Sequence, residues 1–276
     1  MVRPFGESEA DWLRAVCPRP LRVSDSHWRT LEDVFGRPRA VLKHHIHRLG
    51  LRSPPRHHVD DAFFETWSAP MAWCLGLLWA DGHLARSAPT LQWSSVDSES
   101  ISNVRAAMRA THPIRVLRIS RGHLGDRPVH VLAVSRTRMR RAAELLMGGR
   151  LKAERLQPPA VPAELLGDFV RGYFEGDGNI YFDEPRSNLH VRIAGRTRFI
   201  ENLTDVLVER GVFTWKRPRI LTNTTDIVEL HVQSAEAFRL AHLMYDGAPA
   251  ALSLSRKRAV YERCKAWRLA RGLRIA

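Results

Sequence analysis

Two aspartates stand in nearly the same short phrase, 96 residues apart: Asp81 in Ala80–Asp81–Gly82 and Asp177 in Gly176–Asp177–Gly178. Each phrase closes a run with small residues at four-residue spacing. These are Gly76 and Ala80 in LGLLWADG, and Gly172 and Gly176 in VRGYFEGDG. Small residues so spaced let two helix backbones approach closely. If the two runs are helices packed on one another, their C-terminal ends bring the carboxylates together. Side by side, two carboxylates repel, and a hard divalent cation such as Mg²⁺ relieves the repulsion. Paired ions of that kind activate water and steady the leaving oxygen of a phosphodiester.

Charge narrows the partner. The 276 residues hold 43 Lys+Arg against 29 Asp+Glu, a formal net charge of +14. A surface this basic attracts a polyanion, either nucleic acid or acidic membrane. No apolar run approaches the roughly 18 residues of a membrane span, so nucleic acid is the expected partner, and no membrane. The first residues are acidic and lack an apolar stretch, unlike a signal peptide. Only Lys43, Lys152, Lys216, Lys257 and Lys265 are lysine; the arginine excess fits a GC-rich genome, and arginine also forks well onto phosphate and guanine. Cys17, Cys74 and Cys264 have neither metal nor disulfide spacing. A reducing, intracellular setting is expected, cytoplasmic if the source is bacterial or phage.

The elements that must position the aspartates repeat. SVDSESISNVRAAM (95–108) matches AGRTRFIENLTDVL (194–207), and HVLAVSRTRMRRAAELLMGG (130–149) matches ELHVQSAEAFRLAHLMYDG (229–247), in the same order with similar gaps. Each copy reads as helix, two strands, helix, two strands, helix. The expected fold is therefore α+β: two αββαββα repeats, 59–158 and 159–276, plus a small helical segment at 1–58. Strand alternation places Gln92 and Ser94 opposite Leu91 and Trp93, His190 and Arg192 opposite Val191 and Ile193, and Glu229, His231 and Gln233 opposite Leu230 and Val232. Such strands have one buried and one polar face, and the polar side chains could read base edges. Trp73, Trp79 and Trp93 lie in apolar stretches and are expected in the core. Glu175, whose counterpart is Trp79, reads as structural, and Asp97 as an N-cap.

Ahead of the repeats, 1–23 reads as an irregular lead-in. A first helix, capped by Ser24 or Ser26, turns Trp28, Leu31 and Val34 inward. Gly36 and Pro38 then punctuate, and a second helix turns Val41, Ile46 and Leu49 inward and Arg37, Arg39, Lys43, His44 and Arg48 outward. This suggests a helix-turn-helix, with Arg39 and Lys43 on its DNA-facing helix. SPPRHH (53–58) reads as a linker, and His44, His45, His47, His57 and His58 as polar surface rather than metal ligands.

WCLGLLWADGHL and DFVRGYFEGDGNIY resemble the two signature motifs of single-chain LAGLIDADG homing endonucleases. They depart from the family string at Trp79, and at Arg171, Tyr173 and Phe174. The approach to the second motif, MGGRLKAERLQPPAVPAELLG, and the closing stretch MYDGAPAALSLSRKRAVYER are also similar to that family, so the resemblance covers about residues 66–270. It implies that the two pseudo-symmetric repeats form a DNA-binding saddle, in a monomeric, Mg²⁺-dependent endonuclease that cuts both strands of double-stranded DNA. Asp81 and Asp177 would bind metal, helped by the carbonyls of Ala80 and Gly176, with Lys152 and Lys257 lining the pocket to polarise water or stabilise the phosphate. The same fold also serves intron RNA maturases and DNA-binding regulators, so those readings stay open. An intein fits poorly.

Overall fold

The computed structural model describes residues 6–16, 25–51, 57–118, 127–149, 156–214, 219–222 and 226–273. The chain divides into two compact units, 1–58 and 59–276.

In the first unit, α1 (Glu7–Val16), α2 (Asp25–Phe35) and α3 (Arg39–Arg48) share a small core of Leu13, Trp28, Leu31, Leu42 and Ile46. The expected irregular lead-in is thus corrected, because Glu7–Val16 is helical. Gly6 N–H donates to Glu9 at 2.8 Å, and two acids occupy the first turn, where the helix dipole favours them. Val34 is exposed rather than inward, and Leu42 and Ile46 are the buried residues of α3 while Val41 and Leu49 are half-buried. Arg37 is also corrected: it lies before α3, buried, with its guanidinium on the Glu9 carboxylate. Gly36, at φ 57, makes the turn into Pro38 and α3. Arg39 and Lys43 lie over the Trp28 ring, at 5.1 and 5.6 Å from its centroid. Ser24 and the side chain of Ser26 lie outside the described residues.

The second unit holds the two αββαββα repeats. The first is α4 (Ala69–Asp81), β1 (His83–Leu84), β2 (Thr90–Ser95), α5 (Ser98–Ala107), β3 (Ile114–Arg118), β4 (Pro128–Ser135) and α6 (Thr137–Leu146). The second is α7 (Leu166–Asp177), β5 (Gly178–Asp183), β6 (Asn188–Arg196), α8 (Thr197–Glu209), β7 (Arg219–Thr222), β8 (Ile227–Gln233) and α9 (Ser234–Tyr245). Each repeat forms one antiparallel sheet, in the order β1-β2-β4-β3 and β5-β6-β8-β7. A further helix, α10 (Ser255–Leu269), follows.

One hydrophobic core runs through both repeats, including Trp73, Trp79 and Trp93. Every residue of α4 from Met71 to Ala80 is buried, as befits a helix that is apolar all round. The strands keep the alternation of their sequence. Leu91 and Trp93 are buried between half-buried Thr90, Gln92 and Ser94, and in β8 Val228, Leu230 and Val232 are buried between more exposed neighbours.

Candidate active site at the ends of the paired helices

α4 and α7 pack backbone to backbone, and the glycines show why. A Cβ on Gly76 would stand 2.2 Å from Phe169 O, and one on Gly172 would stand 2.1 Å from Trp73 O. Gly76 and Gly172 are equivalent in the two motifs, as are Trp73 and Phe169, so the contact is reciprocal. One turn on, a Cβ on Gly176 would meet the Ala80 Cβ at 2.6 Å and Asp81 Oδ2 at 3.1 Å. The space between the helices at that level admits one methyl group, which Ala80 supplies. This explains Ala-Asp-Gly in one motif and Gly-Asp-Gly in the other.

Asp81 and Asp177 are the last residues of their helices. The next residue in each case, Gly82 or Gly178, is extended and starts the turn into the first strand. A Cβ there would strike the preceding turn, 2.3 Å from Leu78 O at Gly82 and 2.5 Å from Phe174 O at Gly178. The Asp-Gly pairs therefore place a carboxylate at a helix end and let the chain fold back beside it. Asp81 is exposed and Asp177 half-buried. Both carboxylates act on the Tyr173 hydroxyl, which is held well above its ordinary pKa by burial first and then by the charges of Asp177 and Asp81. Tyr173 donates to Ala194 O at 3.0 Å.

The two aspartates line different openings. Asp177, with Trp79, Tyr173, Arg196 and Phe199, borders an open cavity of about 190 Å³. Asp81 borders a crevice of about 10 Å³ with Ser94, Ser100, Glu175 and Gly176. The donor set at the helix ends is hard oxygen with excess negative charge, placed where both helix dipoles are also negative. That chemistry fits a divalent cation such as Mg²⁺.

Lys257, in the first turn of α10, is buried. Its Nζ donates to the carbonyl oxygens of Phe174 at 2.8 Å, Glu175 at 3.0 Å and Gly178 at 2.6 Å. An ammonium has three donors, and here all three cap the C-terminus of α7. Burial lowers its pKa to about 8, with Arg256 adding to the effect. Lys257 is thus bonded to the end of the helix that carries Asp177. Lys152 lies outside the described residues.

Glu175 joins three elements. It is buried, and its carboxylate accepts the Trp73 indole N–H at 2.9 Å and the Leu254 N–H at 2.7 Å. Burial raises its pKa to about 7 against those two bonds. Arg171, fully buried, donates to Leu252 O at 2.8 Å and also to Met244 O and Asp168. The segment between Leu252 and Lys257 also reaches the first repeat. Ser255 N and Oγ donate to Glu99, Arg256 pairs with Asp97 at 2.8 Å, and Asn103 donates to Ser253 O. Asp97 occupies the N-cap position of α5, but its side chain makes no capping bond; the Arg256 pair replaces the expected cap. Sequence reasoning missed this junction. Its one signal was the charged Arg171 and Glu175 inside an otherwise apolar motif.

On the sheets, Gln92 and Ser94 are half-buried on the polar face of β2. In the second repeat, His190 pairs in register with Gln233, and Arg192 with His231. Arg192 approaches Glu229 at 3.7 Å. His190 is only 9% exposed, because its ring lies between Tyr181 and His231.

No family model matches the sequence, and no curated protein matches it. Solved structures do. The homing endonuclease I-WcaI bound to its DNA recognition sequence is 10% identical, with a TM-score of 0.47, over 72% of this chain and 90% of that one. Mesophilic variants of the homing endonuclease I-DmoI are 14% identical, with a TM-score of 0.46, over 71% and 97%. Full-length DUF199/WhiA from Thermatoga maritima is 14% identical, with a TM-score of 0.44, over 75% and 64%. Likeness at this level assigns no activity to this chain.

Proposed function

We propose that this protein is a site-specific, Mg²⁺-dependent DNA endonuclease that cuts both strands of a duplex, with one carboxylate from each repeat. The observation that carries this reading is the approach of the motif helices at Gly176 and Ala80, which brings the Asp81 carboxylate beside the end of α7. Motif resemblance and a net charge of +14 support the same substrate.

In this reading Asp81 and Asp177 hold Mg²⁺, with the carbonyls of Ala80 and Gly176. The metal supplies Lewis-acid stabilisation of the phosphodiester as it is hydrolysed. The chain's own residues do the rest. Gly76 and Gly172 fix the separation of the helices, Lys257 holds the end of α7, and the polar faces of both sheets lie along the duplex. Arg39 and Lys43 of α3 would add contacts outside the core site.

The test is incubation of the purified protein with a randomised duplex library, with and without Mg²⁺. Asp81→Asn and Asp177→Asn variants are run beside it. Expected is metal-dependent double-strand cutting at a defined subset of sequences, abolished in both variants while duplex binding persists. Cutting at the wild-type rate in either variant would overturn the assignment. Duplex binding without cutting in the wild type would favour a regulator, and selective binding of structured intron RNA a maturase.

A further inference from the structure

A hydrogen-bond chain crosses the polar face of the second sheet, and one backbone amide fixes its direction. The Ser234 N–H can only donate, and it bonds Asn188 Oδ1 at 2.9 Å; Ser234 Oγ donates to the same oxygen at 2.8 Å. This orients the Asn188 amide, so its Nδ2 faces Gln233 and donates to Oε1 at 3.3 Å. Gln233 is oriented in turn, and its Nε2 lies 3.4 Å from His231 Nε2. An amide NH₂ is only a donor, so His231 Nε2 must carry the lone pair. His190 Nδ1 lies 3.3 Å from that same nitrogen and must carry a hydrogen. A neutral imidazole has one N–H, which leaves His190 Nε2 an acceptor.

The ring that ends this chain is firmly placed. Tyr181 stacks on it at 4.3 Å and 7°, and His231 lies on its other side at 5.6 Å and 23°.

We propose that His190 is a specificity-determining residue: an acceptor whose polarity is set by Ser234 through Asn188, Gln233 and His231, selecting a base that presents an exocyclic amino group in the major groove. This rests on the DNA reading above. Adenine N6 and cytosine N4 are the amino donors there, whereas guanine offers acceptors at N7 and O6. Arg192, two residues along the same face, is only a donor. Acceptor and donor thus stand side by side. A guanine placed against His190 sets acceptor against acceptor, with an expected loss of about tenfold in affinity, roughly the lower end of a bidentate contact's discrimination.

The relay predicts its own inversion. In Asn188→Asp the carboxylate still accepts from Ser234 but has nothing to donate to Gln233. The Gln233 amide turns over, its Oε1 faces His231 Nε2, and the proton moves to that nitrogen. His190 then accepts at Nδ1 and carries its own N–H at Nε2. A proton taken up by the histidine pair from the added charge gives the same outward donor.

Two measurements test this on the full chain. Long-range ¹H–¹⁵N spectra report which ring nitrogen of His190 is protonated, without DNA. Binding to duplexes varied one base at a time reports the preference. Expected are an Nδ1–H tautomer and an amino-base preference at one position in the wild type. His190→Ala should lose that preference, and Asn188→Asp should show an Nε2–H and reverse it toward guanine. An Nε2–H tautomer in the wild type overturns the proposal, as does an unchanged base profile in both variants. Failure to bind any duplex overturns it together with the DNA reading, whereas binding with an unchanged profile overturns it alone.

Discussion

The indole N–H of Trp73 donates to the carboxylate of Glu175 at 2.9 Å, so one motif helix is hydrogen-bonded to the other through buried side chains. The second carboxylate oxygen accepts the Leu254 N–H. Glu175→Ala would strand both donors away from water. A buried donor without a partner costs about 1–3 kcal/mol, so a loss of about 2–5 kcal/mol is expected in denaturant unfolding. Glu175→Gln, which keeps one acceptor, should lose less. Equal stability of the alanine variant and wild type would show that the bridge contributes nothing.

Gly172→Ala tests the helix contact. The new methyl would press on Trp73 O, and overpacking of this kind costs about 1–3 kcal/mol, occasionally more. The helices must separate to admit it, so metal-dependent cutting should fall further than duplex binding. Gly76→Ala, at the reciprocal position, should behave alike. A variant with wild-type stability and cutting would mean the helices slide apart freely.

Lys257→Met removes three donors from the end of α7 but keeps most of the apolar stem of the side chain. A stability loss of about 2 kcal/mol is expected, since the exposed cost of orphaned carbonyls outweighs the desolvation relieved on losing the charge. If Lys257 acts by positioning, adding back a soluble amine should not restore cutting, and the pH profile of residual activity should keep its shape. Rescue by amine would assign it a direct part in proton transfer.

His190 carries a pH signature. Burial lowers its pKa below the ordinary 6.5, with His231 and Arg192 adding to the shift and Asp183 opposing it. Among the described residues, Tyr181 and Asp183 on β5, Arg192 and Arg196 on β6, and Glu229 and His231 on β8 are the charged or titratable groups on its face. The folded chain therefore binds fewer protons at this site than the unfolded chain. Its contribution to stability is complete above the unfolded value and is lost as pH falls through the folded one. Base preference at the His190 position should fade over the same window, as Nε2 gains a proton. A preference that does not weaken as pH falls through the His190 pKa, followed on its ring nitrogens by ¹⁵N spectra, would contradict this.

Salt should weaken DNA binding steeply. Each phosphate neutralised contributes a slope of about −0.9 in log K against log salt, so a basic face tracking several phosphates should show a slope of several units. Removing residues 1–58, which have a separate core, should reduce that slope and shorten the footprint without moving the cut. A salt-independent titration would remove phosphate tracking from the reading.

The sequence announced the repeats, the paired helices and the polar strand faces clearly, because each is a periodic pattern. Gly76, Ala80, Gly172 and Gly176 were legible as packing residues by their spacing alone, and Asp81 and Asp177 by their phrase. What it concealed was long-range partnership. Nothing local shows that Asp97 meets Arg256, or that Lys257 caps a helix some eighty residues earlier. Periodicity also failed in the short helices of the first unit. There, a shift of one position moved the buried residue from Val41 to Leu42 and hid the pairing of Arg37 with Glu9. The relay ending at His190 needed register as well as alternation, since Asn188 and Gln233 sit on different strands.

The junction at residues 252–257 bears on how such a protein can be recombined. It follows the second repeat in the chain, yet Asp97, Glu99 and Asn103 of the first repeat hold it. A chimera that exchanged the second half wholesale would bring an unfamiliar segment against those three side chains and take Glu175 away from Trp73. Grafting only the strands and α8, while keeping α7, the junction and α10 with their original first half, would leave the bonds of the junction and the Trp73–Glu175 bond intact. The exchangeable module is therefore the sheet, and the seam for swapping target preference runs around it.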